Sequence, residues 1–263
     1  MNEIILPVIV VSALAVFFGV LLVFASKKLA VKVDETVTKV RKALPGANCG
    51  GCGYASCDSY ADAIVNSGAP VNACGVGGRA AAEKIAAVMG VDAGEQKEVK
   101  AYVCCHGCAE KPEDLLDYRG VKSCSAVMAF YGGRENCTYG CTGYGDCVAA
   151  CPFGAISIKN AVAVVDPSLC TGCLSCIKAC PKNIISTVPK GEAYIVACRN
   201  HEQGKYTRVS CTHGCIGCKK CEKNCEAGAI TVDGFLAKID HDKCTRCGIC
   251  AENCPVHCIY LVQ

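Results

Sequence analysis

Apolar residues run from Ile4 to Ala25 with Ser12 as the one polar interruption and no charge. Those twenty-two residues, at ~1.5 Å per residue, make a helix of roughly 33 Å, long enough to cross the hydrocarbon core of a bilayer. Lys27, Lys28 and Lys32 follow, and only Asn2 and Glu3 precede. The positive-inside rule therefore places the N-terminus outside and the rest of the chain in the cytoplasm. A cleaved signal peptide is the competing reading, disfavoured by the length of the run and the absence of a basic leader. Beyond the run the pattern shortens. Val31 to Leu44 alternates charge with valine at helical spacing and stops at Pro45-Gly46, which predicts a short connecting helix. Further helices are predicted over Ala55 to Val65, Arg79 to Met89 and Val121 to Tyr131. Short strands are predicted before Cys104, ahead of Asp166 and Asp240, over Ala193 to Ala197, and over Ile259 to Val262 as a closing edge. Asp92 to Lys100 reads as a polar linker and Asn200 to Lys205 as a turn. Asp166 and Asp240 read as turn residues rather than catalytic acids.

These elements are too short to bury much apolar surface. The 263 residues include 27 cysteines, no tryptophan and few other aromatics, so metal-held units must supply much of the folding free energy. The cysteines fall in runs. Cys170-x2-Cys173-x2-Cys176-x3-Cys180-Pro181 and Cys244-x2-Cys247-x2-Cys250-x3-Cys254-Pro255 both have the spacing with which bacterial ferredoxins hold a cubane. Each follows a partner run, Cys137-x3-Cys141-x5-Cys147-x3-Cys151 in the first case and Cys215-x2-Cys218-x2-Cys221-x3-Cys225 in the second. Equivalent positions are 74 apart throughout, so the segment is a tandem duplication of a two-cluster module.

In two-cluster ferredoxins the last cysteine of a run ligates the other cluster. That rule groups Cys170, Cys173 and Cys176 with Cys151, Cys244, Cys247 and Cys250 with Cys225, and Cys215, Cys218 and Cys221 with Cys254. The first run departs from the pattern because Tyr144 stands where Cys218 stands in the copy. Cys137 is the nearest replacement, giving Cys137, Cys141, Cys147 and Cys180, with a three-ligand cluster as the alternative. Cys258 reads as a small buried residue rather than a ligand. Upstream, Cys49-x2-Cys52-x4-Cys57-x16-Cys74 makes a separate four-cysteine site, with glycines that let backbone amides approach sulfur. A sixth cluster is weighed against free buried thiols, using Cys105, Cys108 and Cys124 with Cys198 or Cys211. Cys124 and Cys137 map onto Cys198 and Cys211 at the same offset of 74. His106, His201 and His213 read as surface or hydrogen-bonding residues.

The odd cysteine count and the repeated three-cysteine loops argue against a disulfide framework. Zinc sites usually combine separated pairs rather than four-cysteine runs ending in proline. The formal charge of +3 is no sign of nucleic-acid binding, since five cubanes at roughly −2 each bring the loaded chain to about −7. Gly75-x-Gly77-Gly78 lacks the βαβ setting of a dinucleotide site, and no P-loop occurs. The chemistry left is one-electron relay, with no catalytic residue and no independent active site.

The fold class that follows is α+β and iron–sulfur-rich. The expected units are an anchor over 1–27, a small helical cluster domain over 28–92, a linker region over 93–136, and ferredoxin-like modules over 137–188 and 189–263. Pro45-Gly-Ala-Asn-Cys49-Gly-Gly-Cys52-Gly and Cys137-Thr-Tyr-Gly-Cys141-Thr-Gly-Tyr-Gly-Asp-Cys147, in this order behind one membrane helix, resemble the B subunit of the Rnf complex. Its second module is similar to the longer members of that family, and the resemblance covers essentially the whole chain. The runs call for at least five 4Fe–4S clusters, and the resemblance implies reduced soluble ferredoxin as electron donor and membrane-bound flavin and iron–sulfur partner subunits. It also implies NAD+ reduction on another subunit, with Na+ or H+ pumped. The alternatives are a relay subunit of another membrane redox complex, or a membrane-anchored iron–sulfur sensor or carrier.

Overall fold

A computed structural model describes residues 2–28, 34–96, 98–107, 118–129, 132–133 and 136–262. Helix α1 runs over Asn2–Lys28. Its described side chains extend from Val10 to Ser26, and among the described residues no helix is long and apolar enough to cross a membrane. The expected start of the next helix at Val31, the end of the later one at Tyr131, and Cys108 all lie outside the described residues.

Three helices build the first cysteine unit. Helix α2, Glu35–Ala43, begins where the Asp34 carboxylate accepts from Thr36 N at 2.7 Å. Helix α3, Cys57–Ser67, is capped by the Ser56 hydroxyl, which accepts from Ser59 N at 3.0 Å, and stops at left-handed Gly68. Helix α4 spans Gly78–Met89. They bury Val40, Tyr60, Ile64 and Ile85 together. The Tyr60 hydroxyl donates to Pro70 O at 2.6 Å and accepts from Ala73 N at 3.1 Å, which ties the loop carrying Cys74 to α3.

The first repeat comprises β1 (Val99–Val103), α5 (Cys124–Ala129), α6 (Asp146–Ala149), β2 (Ile156–Lys159), β3 (Val162–Val165), α7 (Ser175–Ala179) and β4 (Ile185–Pro189). The second comprises β5 (Ala193–Val196), α8 (Gly204–Ser210), α9 (Lys220–Lys223), β6 (Ile230–Asp233), β7 (Leu236–Ile239), α10 (Ile249–Glu252) and β8 (Ile259–Val262). Strands pair antiparallel as β1 with β4, β2 with β3, β5 with β8, and β6 with β7. The core of the second repeat is mostly cysteine, and that of the first mixes Cys141, Cys147 and Cys176 with isoleucine, valine and alanine, as expected of a fold organised round inorganic groups.

The register fixes an equivalence that linear spacing hides. Val103 lies opposite Ile185 and Val196 opposite Ile259, and these partners are 74 apart. The bridges just beyond agree, since Cys104 N donates to Ile184 O at 2.7 Å and Ala197 N to Cys258 O at 2.8 Å. Cys105 is thus the structural counterpart of Cys198. The counterpart expected from the constant offset, Cys124, lies on extra chain that only the first repeat has.

The first cysteine unit docks on the first repeat through glycine. A Cβ on Gly51 would collide with the Cys173 carbonyl, and one on Gly75 would come within 2.8 Å of Gly172 O. Ser175 Oγ donates to Cys49 O at 3.1 Å and Lys178 Nζ to Gly50 O at 2.7 Å across the same contact. The two cysteine loops therefore meet backbone to backbone.

Candidate metal centres

Cys49, Cys52, Cys57 and Cys74 line one cavity, with Cys173 of the first repeat at its wall. Asn48, at φ 47°, accepts from Cys57 N at 2.8 Å and so folds the glycine-rich loop onto the start of α3. Gly77 N donates to Cys74 Sγ at 3.3 Å. Burial pushes the Cys74 thiol up, partly offset by that amide. A metal-bound thiolate here meets a ready hydrogen-bond donor.

In the first repeat, Cys176 has Cys173, Cys170 and Cys151 as its charged neighbours. Burial, and then those neighbours, push its thiol up to about 11. Ala101 N points at Cys170 Sγ at 3.5 Å. A second cavity is lined by Cys141, Cys147 and Cys180, and its fourth cysteine is Cys124. Burial pushes Cys147 up to about 12, with Cys141, Cys124 and Cys180 adding to the effect.

Asp146 explains how Cys124 reaches that cavity. Its carboxylate accepts from Cys124 N at 2.8 Å, from Ser125 N and Ser125 Oγ at 2.9 Å each, and from Ser123 Oγ at 3.0 Å. Burial raises the pKa of Asp146, but these donors outweigh it and hold the carboxyl below its ordinary value. The start of α5 is thereby pinned to the start of α6, which carries Cys147. Cys137, read from sequence as the substitute for the cysteine missing at Tyr144, lies on a different cavity. A tight turn, closed by Gly140 N donating to Cys137 O at 2.9 Å, sets it there. Spacing along the chain favoured the near cysteine; the carboxylate clamp brings the distant one. An acidic residue one position before Cys147 was the only signal in the sequence, and it is visible only with the fold in hand.

The second repeat follows its sequence pattern. Cys215, Cys218, Cys221 and Cys254 line one cavity together with Cys258. Cys258 is 1% exposed and its Sγ lies 3.6 Å from Cys254 Sγ. Hydrogen bonding to Cys258 is the largest influence on the thiols of Cys215 and Cys254, holding Cys215 below its ordinary value and Cys254 down to about 5. Cys250 is pushed up to about 11 by burial, with Cys244 and Cys247 as charged neighbours. Cys225 packs on the same core and accepts from Ala229 N at 3.3 Å.

A further cavity of about 60 Å³ opens where the repeats meet, lined by Cys105, Cys137, Cys198 and Cys211, with Cys104 and Cys141 also on its wall. Of the cysteines weighed for a sixth cluster, Cys105, Cys198 and Cys211 are brought together here and Cys124 is not. His106 and His213 also face this cavity, their rings 5.1 Å apart, while His201 packs on Tyr139 at 5.9 Å.

None of the described cysteines is in a disulfide. Cavities walled by four or more thiols, with backbone amides aimed at sulfur, offer the donor set of a cubane. The residues therefore fit cubane clusters, and the fold and sites define a polynuclear iron–sulfur protein of the ferredoxin type.

Comparison with known proteins carries this further. A family model described as "Putative Fe-S cluster" matches residues 44–76, and one described as "4Fe-4S dicluster domain" matches 136–184 and 214–258. The chain is 46% identical over 253 residues, covering 96% of both proteins, to the B subunit of the ion-translocating oxidoreductase complex of Methanosarcina acetivorans. It is 44% identical to the B subunit of the Na+-translocating ferredoxin:NAD+ oxidoreductase complex of Acetobacterium woodii, covering 98% of this chain and 78% of that one. It is also 37% identical to the proton-translocating counterpart of Clostridium ljungdahlii, over 98% and 93%. The chain belongs to the family of B subunits of ion-translocating oxidoreductase (Rnf) complexes, and it carries multiple 4Fe–4S clusters.

Proposed function

We propose that this chain is the electron-relay subunit of an ion-pumping ferredoxin:NAD+ oxidoreductase, taking electrons from reduced ferredoxin and passing them to partner subunits in the membrane. The observation that carries the reading is the sharing of walls between sites: Cys173 of the first repeat closes the cavity of Cys49, Cys52, Cys57 and Cys74. Each cluster, when bound, accepts and releases one electron without making or breaking a bond. The chain's own residues hold, shield and space the clusters, and amides such as those of Gly77 and Ala229 lie against the ligand sulfurs. The ligand sets follow the runs, as Cys49, Cys52, Cys57 and Cys74; Cys151, Cys170, Cys173 and Cys176; Cys225, Cys244, Cys247 and Cys250; and Cys215, Cys218, Cys221 and Cys254. Nicotinamide reduction and ion passage belong to other subunits in this reading.

Helix α1 is the membrane anchor, with its N-terminus outside and the cysteine units in the cytoplasm. Val10, Val16, Phe17, Leu22 and Phe24 are each about half or more exposed on it, an apolar surface on every side that requires a nonaqueous cover. The anchor covers 1–27, the first cysteine unit 28–92, a linker 93–136, and the modules 137–188 and 189–263. Soluble ferredoxin exchanges electrons with the second repeat, where Cys218 and Cys247 are the exposed cysteines among the described residues. One experiment tests the whole reading. Reduced ferredoxin is mixed anaerobically with membranes carrying the assembled complex, and cluster reduction in this chain is followed ahead of NADH formation. NADH formation at an undiminished rate in complexes whose Cys250→Ala chain has lost a cluster would remove the relay.

A further inference from the structure

We propose that the seam between the repeats holds one more 4Fe–4S cluster, ligated by Cys105, Cys137, Cys198 and Cys211, and that Cys124 belongs instead to the cluster of Cys141, Cys147 and Cys180. The proposal rests on reading the chain as a cluster relay and adds a site that the matched family segments do not contain as a unit.

Symmetry is the first support. Strand register makes Cys105 the counterpart of Cys198, and the repeat offset makes Cys137 the counterpart of Cys211. Each repeat thus gives the cavity the same two positions, and all four cysteines line it. Thirty-two residues separate Cys105 from Cys137, and thirteen separate Cys198 from Cys211. The first repeat therefore carries nineteen additional residues there, with Cys124 among them. This insert supplies what Tyr144 removed. In the second repeat Cys218 is present, no insert is needed, and both upstream cysteines remain for the seam.

The second support is polar. Asn200, 1% exposed, points Nδ2 at Cys137 Sγ at 3.8 Å and its backbone N at Cys198 Sγ at 3.4 Å, so one buried residue addresses sulfurs of both repeats. Cys215 N donates to Cys198 Sγ at 3.2 Å. Arg199 lies on the cavity wall, and among the described residues its buried Nε has no hydrogen-bond partner. A cationic side chain beside four thiols suits a group of net negative charge. The same small residue stands beside the pair in each repeat: a Cβ on Gly140 would come within 3.2 Å of Cys137 O, and the equivalent Cβ on Gly214 within 2.5 Å of Thr207 Cγ2. Cys104 is not the fourth ligand, because its thiol hydrogen-bonds the Tyr102 hydroxyl and its structural counterpart is Ala197.

The position assigns the task. Cys141 lines both the seam and the cavity of Cys147 and Cys180, and Cys215 N touches Cys198 on the other side. A cluster held there by Cys105, Cys137, Cys198 and Cys211 would take one electron from a reduced cluster of one repeat and give it to an oxidised cluster of the other, with no proton transferred.

The test is an iron count by pairs on the full chain, reconstituted anaerobically, with electron paramagnetic resonance of the reduced clusters. Wild type is expected to hold about twenty-four irons, and Cys198→Ala about twenty. Cys137→Ala combined with Cys198→Ala should also hold about twenty, because both alter one cluster. Cys124→Ala combined with Cys198→Ala should fall to about sixteen, and Cys104→Ala should match wild type. A wild-type count near twenty that Cys198→Ala leaves unchanged would overturn the seam site, as would a count near sixteen for the Cys137 and Cys198 pair. If Cys198→Ala fails to fold, Cys211→Ala at the cavity edge gives the same readout. Zinc in place of iron, or no metal at all, would instead defeat the relay reading itself.

Discussion

The two repeats descend from one pattern and solve the same problem differently. In the second, Cys215, Cys218, Cys221 and Cys254 surround their cavity as the run spacing dictates. In the first, Tyr144 stands at the place of Cys218, and Cys124 arrives from a different helix. Asp146 holds that helix with four hydrogen bonds, and its counterpart in the second repeat is Lys220. A cysteine missing from the run is thus matched on the cavity wall by one that a tertiary clamp brings in, whereas the complete run has no such clamp. A cavity tolerates any chain connection that delivers a sulfur to its fourth corner.

The largest effect should come from Cys124→Ala, which is expected to remove or degrade the cluster of Cys141, Cys147 and Cys180, a loss of up to about four irons. Cys218→Ala should do the same in the second repeat, while Tyr144→Ala leaves iron content unchanged. Equal iron in Cys124→Ala and wild type would break the comparison. Tyr144→Cys on the Cys124→Ala background should restore much of the loss, making the repeats alike.

The next effect is Asp146→Ala. Losing a carboxylate cap costs about 1–2 kcal/mol, so iron should leave the first repeat faster on chelation, by roughly 5- to 30-fold if the cost appears fully in the opening equilibrium. Lys220→Ala should leave release from the second repeat unchanged. Because the Asp146 carboxyl is held below its ordinary value, the clamp is complete above that value and is lost as pH falls through the depressed pKa.

Acid acts on both repeats through the ligands. Burial pushes the thiols of Cys147 and Cys221 up to about 12. Cluster assembly must therefore displace the protons that these two thiols hold firmly, and uptake strengthens as pH rises and reverses on acidification. Proton release during anaerobic reconstitution, measured in weak buffer, checks this.

The smallest effect concerns Cys258, beside Cys254 in the second repeat, where the first repeat has buried Ile184. A hydrogen bond to cluster sulfur favours the reduced state. Cys258→Ala should lower that cluster's potential by on the order of 40 mV, the one-electron equivalent of about 1 kcal/mol. Ile184→Ala, which removes no such donor, should leave the first repeat nearly unshifted in a spectroelectrochemical titration.

Much of the molecule was legible in its cysteine spacing. The helices carrying Cys57 and leading from Gly78 to Met89, the strand before Cys104 and the closing strand at Ile259 all fall close to where patterning puts them. Short-range runs read well because a loop round a compact inorganic core leaves little choice of residue gap. The assignment of Cys137, and the pairing of Cys124 with Cys198, did not come out as spacing suggested. Both depend on contacts between residues far apart, namely Asp146 with Cys124 and Asn200 with Cys137.

The sequence by itself determined the chemistry, the duplication and the cysteines that make up each regular run, because thiol number and loop length are local quantities. Only the tertiary structure decided which sulfurs from separate segments share a cavity. That choice is made by strand register and by a half-buried carboxylate and a buried amide acting across sequence separations of 22 and 63, where proximity in sequence carries no information about proximity in space.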